Sequence, residues 1–221
     1  MECESRETYW IKKFTDLGAL WLYQGEPCVE KPHGLMTSGK HSNGFFNGSL
    51  VIRITSVCTE ACTRLFESVR VEAETPFLNV ESVWGSAMGG IPIAYEIAGQ
   101  LYQGIPFGFT EKDGDSMVVK RFPVTKAEKI LVVEDVITTG GTTRKTIIAL
   151  ESAGAEVLPY ILALVNRSGM KELDGRKIIA LIDRELPLWT PEECPYCAVG
   201  SQALRPKEHW DELVGKQGKE K

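Results

Sequence analysis

The chain has 221 residues, enough for one sizeable core and short of what two full α/β domains need. Hydrophobic residues make up 43% and charged residues 25%, the balance of an ordinary globular protein, which excludes a disordered, collagen-like or coiled-coil chain. The formal net charge of −5 excludes a whole-surface nucleic-acid binder, so an anionic ligand needs a local site.

The opening MECESRETYW has acids at Glu2, Glu4 and Glu7 and no apolar run behind a positive segment, so it does not read as a signal peptide. Strongly apolar stretches such as residues 160–165 fall far short of a membrane span. The expectation is a cytoplasmic protein with no membrane or nucleic-acid partner. Six cysteines without a secretion signal then suggest reduced thiols or a metal site more than a disulfide framework.

Residues 9–23 place Trp10, Ile11, Phe14, Leu17 and Trp21 at helical spacing, with Gly25 and Pro27 as the stop. Residues 34–49, rich in Gly, Ser and Asn around Phe45 and Phe46, read as a loop leading into a strand over 50–54. Val57, Ala61, Leu65 and Phe66 share one face of a helix over 55–69. A strand over 77–84, a tight loop over 85–90 and a helix over 91–101 follow, with Pro92 tolerated in the first turn. A short strand over 106–109, the turn Asp113-Gly114-Asp115 and a strand over 117–122 suggest a hairpin. The run over 129–134 is apolar without alternation from Ile130 to Val133, the pattern of a strand buried on both faces of a parallel sheet. A helix over 142–153 closed by Gly154, and strands over 157–165 and 177–182, complete the reading. Strand and helix alternate, which predicts an α/β fold with a mainly parallel, doubly wound sheet flanked by helices.

The most informative segment is ILVVEDVITTGGT, residues 130–142. Four apolar residues lead to Glu134 and Asp135, then Val136 and Ile137, then Thr138, Thr139, Gly140, Gly141 and Thr142 at the start of a helix. A Gly-rich turn between a parallel strand and a helix presents backbone N–H groups and a helix N-terminus, which together bind phosphate. The threonine hydroxyls add donors. Carboxylates repel that phosphate, so Glu134 and Asp135 suit the hydroxyls of an attached sugar or a magnesium shell. The segment predicts a sugar phosphate. The plain alternative is an ordinary strand–turn–helix with solvated acids, since Walker and dinucleotide loops are both absent in their required spacing.

This order resembles the phosphoribosyl-pyrophosphate signature of the type I phosphoribosyltransferases. The resemblance implies that Glu134 and Asp135 hold the ribose 2′ and 3′ hydroxyls, and that Val136, Thr138, Thr139, Gly140, Gly141 and Thr142 form the 5′-phosphate loop. Three further segments narrow it to the orotate phosphoribosyltransferase family, from Thr8 to about Ile182. MTSGKHSNGFFN (36–47) resembles the loop that wraps the pyrimidine, implying Ser38, Gly39, Lys40, Phe45 and Phe46 at orotate. Physically, a planar anionic base needs an apolar face and donors, although one of the two phenylalanines is expected in the core. WGSAMGGI (84–91) resembles the pyrophosphate loop, implying Ser86, Ala87, Met88 and Gly89. LVNRSG (164–169) resembles the strand end whose arginine grips the orotate carboxylate, implying Arg167.

There are departures. The better-known branch carries lysines where this chain has Thr37 and Gly89, and a long mobile basic loop where this chain has the short stretch 110–122. Lys112, Lys120 and Arg121 are the available cations for the leaving group, expected as catalytic residues with Glu134 and Asp135. The resemblance further implies a type I fold in one domain over 1–214. It divides into a base-binding hood (1–54), a core sheet (55–185) and a C-terminal extension (186–214), followed by a polar tail (215–221). It implies phosphoribosyl transfer from phosphoribosyl pyrophosphate to orotate in pyrimidine biosynthesis, in a homodimer. It also implies magnesium carried by the substrate with no direct protein ligand, Asp135 being the one candidate for a contact. Two rivals stay open: transfer to another base, and a regulator that senses phosphoribosyl pyrophosphate without turnover.

Cys194-Pro-Tyr-Cys197 is a lone C-x-x-C. Cys3, Cys28 and His209 could complete a metal site in principle, but the reading preferred is a structural turn with two reduced thiols, with His33 and His41 as loop residues.

Overall fold

Long apolar runs need two covered faces, and the chain meets that need with a sheet between helices. A computed structural model describes residues 5–72, 79–101 and 104–214. In chain order the elements are α1 (Arg6–Asp16), β1 (Leu20–Leu22), β2 (His33–Leu35), β3 (His41–Ser42), β4 (Gly44–Phe46), α2 (Gly48–Ile52), α3 (Thr55–Glu72), β5 (Ser82–Ser86), α4 (Gly90–Gln100), β6 (Phe107–Asp113) and β7 (Ser116–Val118). They continue with β8 (Lys129–Ile137), α5 (Gly141–Ser152), β9 (Glu156–Asn166), β10 (Glu172–Leu173), β11 (Arg176–Asp183), α6 (Pro195–Ala198), β12 (Ala203–Leu204) and α7 (Trp210–Leu213). The chain divides into two compact units, Met1–Lys12 with Gly48–Glu185, and Lys13–Asn47 with Leu186–Lys221.

The first unit holds a seven-stranded sheet in the order β10-β11-β9-β8-β5-β6-β7. Its five inner strands are parallel, and β10 and β7 close the edges antiparallel. Helices α3 and α4 pack together against it, while α5 packs on β7, β8 and β9. The chain runs from β5 outward to β6 and then crosses back to β8 on the other side of β5. Strand order therefore reverses between β5 and β8, where an open α/β sheet leaves a crevice at the carboxyl ends of its strands. Ile130 to Val133 are all fully or almost fully buried, which is why the run shows no alternation.

The second unit holds the antiparallel pair β1-β4 and the three-stranded sheet β12-β2-β3. Phe14 meets Phe46 edge-on at 5.8 Å, and Trp21, Leu204 and Leu213 form a small core with Phe45 and Trp210 against it.

Several sequence expectations change. The helix expected over 9–23 ends at Asp16: Gly18 has φ +65°, its N–H donates to Thr15 O, and Ala19 N–H donates to Phe14 O, a Schellman cap. Trp21 instead points inward from a strand, a position that helical spacing imitates over one turn. The loop expected over 34–49 contains β2, β3 and β4, so His33 and His41 lie on strands. The strand expected over 50–54 is the helix α2, since a short apolar run has no period to decide between them. The hairpin forms, with β6 longer and β7 shorter than expected. Residues 77–78 of the strand expected over 77–84 lie outside the described residues.

Candidate active site

Strand β8 runs past its acids to Ile137, so Glu134 and Asp135 are fixed by the ladder with β9 and do not float in the following loop. The chain then turns through Thr138 and Thr139 to Gly140, which takes the left-handed conformation at φ +72° and caps α5 with no side chain of its own. Only glycine adopts that geometry without strain. The first turn of α5 contains no acid, and its amides lie at the positive end of a twelve-residue helix. Thr138, Thr139 and Thr142 are exposed around it.

From the other side of the switch point, β5 ends at Ser86 and continues through Ala87 and the exposed Met88 to Gly89, with a cis peptide between Ala87 and Met88. These two turns enclose a cleft of about 200 Å³ lined by both acids, the Ser86–Gly89 turn and the start of α5. A larger cavity of about 480 Å³ is lined by Trp84, Phe107 and Phe122 together with Glu81, Lys126 and Glu128, and none of its lining residues starts a helix.

The two acids differ. Glu134 is buried, its Oε2 accepts a hydrogen bond from Ser86 Oγ, and its Oε1 accepts from the Asp135 N–H at 3.2 Å. Burial, followed by the neighbouring Asp135 charge, holds its carboxyl well above the ordinary glutamate range. Asp135 is half-buried and its Oδ1 accepts from the Val136 N–H at 2.8 Å. Its Oδ2 lies where a Cβ on Gly89 would stand only 2.3 Å away, and where one on Gly48 would stand 3.0 Å away. Asp135 is thus seated between two glycines. Any Cβ at position 89 would therefore push the Asp135 carboxylate out of this seat.

Ser86, Ala87, Met88, Gly89, Glu134, Asp135, Val136, Thr138, Gly140, Gly141 and Thr142 all line one cleft, as expected. Thr139 lies in the same turn without lining it. The expected cations do not join them. Arg121 pairs with Glu111 at 2.6 Å and Lys120 with Asp113 at 3.7 Å, while Lys112 is exposed on β6. The hairpin's own acids hold two of the three, and no Lys or Arg lines the cleft among the described residues.

Arg167 follows β9, donates its N–H to Ile137 O at 2.9 Å, and is not among the cleft's lining residues. It is a buried cation with 2% exposure; burial lowers its pKa to about 10, so it stays charged at neutral pH. In the second unit, Ser38, Gly39 and Lys40 form the exposed turn between β2 and β3, with the Met36 N–H bonded to Lys40 O. Phe46 corrects the expectation for the base loop: it is a core residue at 3% exposure, paired with Leu20 across β1-β4 and edge-on to Phe14. Phe45 is half-buried beside Trp210 at 6.1 Å.

Sequence reasoning missed Gly48 as a wall of the Asp135 seat and Ser86 as the donor to Glu134. No local signal marks either, because both contacts join segments far apart in the chain.

The sequence matches the phosphoribosyl transferase domain over residues 60–181, more than half the chain. An orotate phosphoribosyltransferase of Desulforamulus reducens is 38% identical over 175 residues, which span 79% of this chain and 87% of the relative. One from Nitratiruptor sp. is 32% identical over 199 residues, spanning 84% and 95%. Among solved structures, orotate phosphoribosyltransferase from Aeropyrum pernix superposes with a TM-score of 0.61 at 26% identity, over 77% of this chain and 91% of that one. The cleft at the switch point and these likenesses agree: the chain belongs to the type I phosphoribosyltransferases, in the orotate phosphoribosyltransferase family.

Proposed function

We propose that this chain is an orotate phosphoribosyltransferase, moving the phosphoribosyl group of phosphoribosyl pyrophosphate to orotate with release of pyrophosphate and formation of orotidine 5′-monophosphate. The observation that carries the sugar-phosphate half is the open N-terminus of α5 beside the seated Asp135. The relatives' names supply the base.

In this reading the α5 amides and the Thr138 and Thr142 hydroxyls hold the 5′-phosphate, and Asp135 accepts from the ribose hydroxyls. Glu134 lines the same cleft, but both its oxygens accept from protein donors, so its task is to tie the Ser86 turn to the end of β8. Loss of pyrophosphate leaves an oxocarbenium-like ribose, so the chain acts by positioning, charge and exclusion of water, with no nucleophilic side chain. Arg167, charged and buried, suits the orotate carboxylate.

Magnesium fits the donor set: the cleft offers the oxygens of Asp135 and no basic side chain among its lining residues. Bound with the substrate, it supplies positive charge to the departing pyrophosphate. The reading includes a homodimer, whose second chain would bring the cations this cleft lacks. No described helix is long and apolar enough to cross a membrane, and we place the enzyme in the cytoplasm.

The test is Asp135→Asn assayed with phosphoribosyl pyrophosphate, magnesium and a panel of bases, following loss of each base. The expected result is orotate-specific turnover in the wild type and a hundredfold or greater loss in the variant at unchanged melting temperature. Wild-type turnover of the variant would refute the sugar site, and consumption of a purine instead of orotate would refute the base.

A further inference from the structure

The second unit gathers four side chains that the transferase reading does not use. His33 on β2, His41 on β3, Cys194 at the cap of α6 and Cys197 within it place one ligand atom each within 4.8 Å of all the others. His33 Nε2 is 2.9 Å from His41 Nδ1, and Cys197 Sγ is 3.1 Å from His41 Nδ1 and 3.5 Å from His33 Nε2. Zinc–nitrogen and zinc–sulfur bonds of roughly 2.1 and 2.3 Å in a tetrahedron set ligand–ligand edges of roughly 3.3–3.8 Å. The 3.5 Å separation falls in that range, the 2.9 and 3.1 Å separations fall a few tenths of an ångström short of it, and all four atoms lie within 4.8 Å of one another, so small side-chain shifts bring them to the corners of such a site.

The tautomer of His33 follows from its neighbour. Ser201 Oγ has one proton and donates it to Lys31 O at 2.7 Å, so at 2.9 Å it must accept from His33 Nδ1–H. Nε2 of His33 then carries the lone pair, directed at His41 and Cys197. An oxygen that fixes one imidazole nitrogen and bares the other is the usual support of a metal-bound histidine. The backbone holds the cluster from both sides: His33 N–H donates to Gln202 O, and His41 exchanges N–H···O bonds with Trp189. Tyr196 stacks on His33 at 5.4 Å. Cys28 and His209 do not join: Cys28 Sγ meets the Tyr23 hydroxyl and His209 pairs with Glu212. Cys3 lies outside the described residues.

We propose that His33, His41, Cys194 and Cys197 bind one structural zinc ion, which staples the C-terminal segment to the β2-β3 hairpin within the second unit. Both thiols bind as thiolates, releasing two protons to solvent. With two neutral imidazoles the site sums to zero charge, which suits three buried ligands and one half-buried one. Four protein ligands close the coordination sphere, leaving no position for a substrate. The site is independent of the phosphoribosyl cleft, whose residues all belong to the first unit.

The test is metal analysis of the full, untagged chain purified under reducing conditions, loaded with zinc and freed of excess ion by gel filtration. The expected result is about one zinc per chain. Cobalt in its place should give a thiolate-to-cobalt charge-transfer band, and Cys194→Ser/Cys197→Ser should lose both signals. If that variant does not fold, Ser201→Ala keeps all four ligands and should bind zinc 10- to 100-fold more weakly against a competing chelator. A wild-type chain without stoichiometric zinc after loading would overturn the proposal. So would zinc retained in full by the double variant, or an unchanged affinity in Ser201→Ala.

Discussion

Replacing Gly89 by alanine separates catalysis from folding in this chain. Gly89 has φ −64° and ψ −35°, a helical geometry that alanine adopts freely, so the backbone gives no reason for glycine. Ordering alanine from a narrower unfolded ensemble favours the folded state by about 0.4–1 kcal/mol. The added Cβ, however, would stand 2.3 Å from Asp135 Oδ2 and 2.4 Å from its Cγ. An ordinary contact is near 3.4 Å, so the carboxylate must retreat by about 1 Å, and a displacement of that size costs on the order of a hundredfold in rate. In barrier terms that is about 2.7 kcal/mol. The assay is steady-state formation of orotidine 5′-monophosphate with saturating magnesium, paired with thermal melts. Gly89→Ala should lose about a hundredfold in kcat/KM while melting no lower than the wild type. Turnover within twofold of wild type would refute the seating of Asp135, and an unfolded variant would refute the backbone argument.

Two other predictions follow from the charges. Arg167→Lys should raise the KM for orotate about tenfold and leave that for phosphoribosyl pyrophosphate unchanged, because an ammonium cannot reproduce a bidentate guanidinium contact; equal loss for both substrates in a kinetic titration would argue against a carboxylate at Arg167. Glu134 has a raised native pKa through burial and the Asp135 charge, so its protonated form stabilises the fold below the ordinary value of 4.5, and that contribution is lost as pH rises through the native value. Melting temperatures in magnesium-free buffer should therefore decline across that interval in the wild type and stay flatter in Glu134→Gln; parallel curves would assign the slope to other groups.

The turn into α5 was legible because its information is local. An apolar run, two acids and a Thr/Gly turn are contiguous, and backbone sterics at Gly140 fix what they form. The parallel sheet was legible for the same reason, since β8 and β9 carry runs that only double-sided burial explains. The N-terminal segments were not. Short pieces such as β1 and α2 are decided by what they pack against, and a three- to five-residue apolar stretch fits strand or helix equally. Phe45 and Phe46 look alike in sequence, yet strand alternation sends Phe46 into the core and leaves Phe45 half-buried. Cys194 and Cys197 needed His33 and His41, more than 150 residues away, before their spacing meant anything. The hairpin cations were legible as charges, while their pairing with Glu111 and Asp113 depends on the register of β6 with β7.

That pairing bears on where the leaving group finds its positive charge. The cleft has carboxylates and, among the described residues, no basic lining residue. Magnesium alone leaves part of the pyrophosphate charge exposed. The Lys120–Asp113 and Arg121–Glu111 pairs are largely solvent-exposed, and such pairs are worth at most about 1 kcal/mol, so a phosphate could take these cations from their acids at little cost. If the hairpin serves the partner's cleft, two inactive chains should complement each other. Asp135→Asn keeps its hairpin and loses its sugar site; Lys112→Ala/Lys120→Ala/Arg121→Ala keeps the sugar site and loses the hairpin cations. Mixed, refolded and assayed together, they should recover about a quarter of wild-type activity, because half of the dimers are mixed and one site in each is whole. A triple variant with full activity of its own would remove the hairpin from the reaction. An inactive triple variant that no mixture rescues would show that the hairpin acts within its own chain.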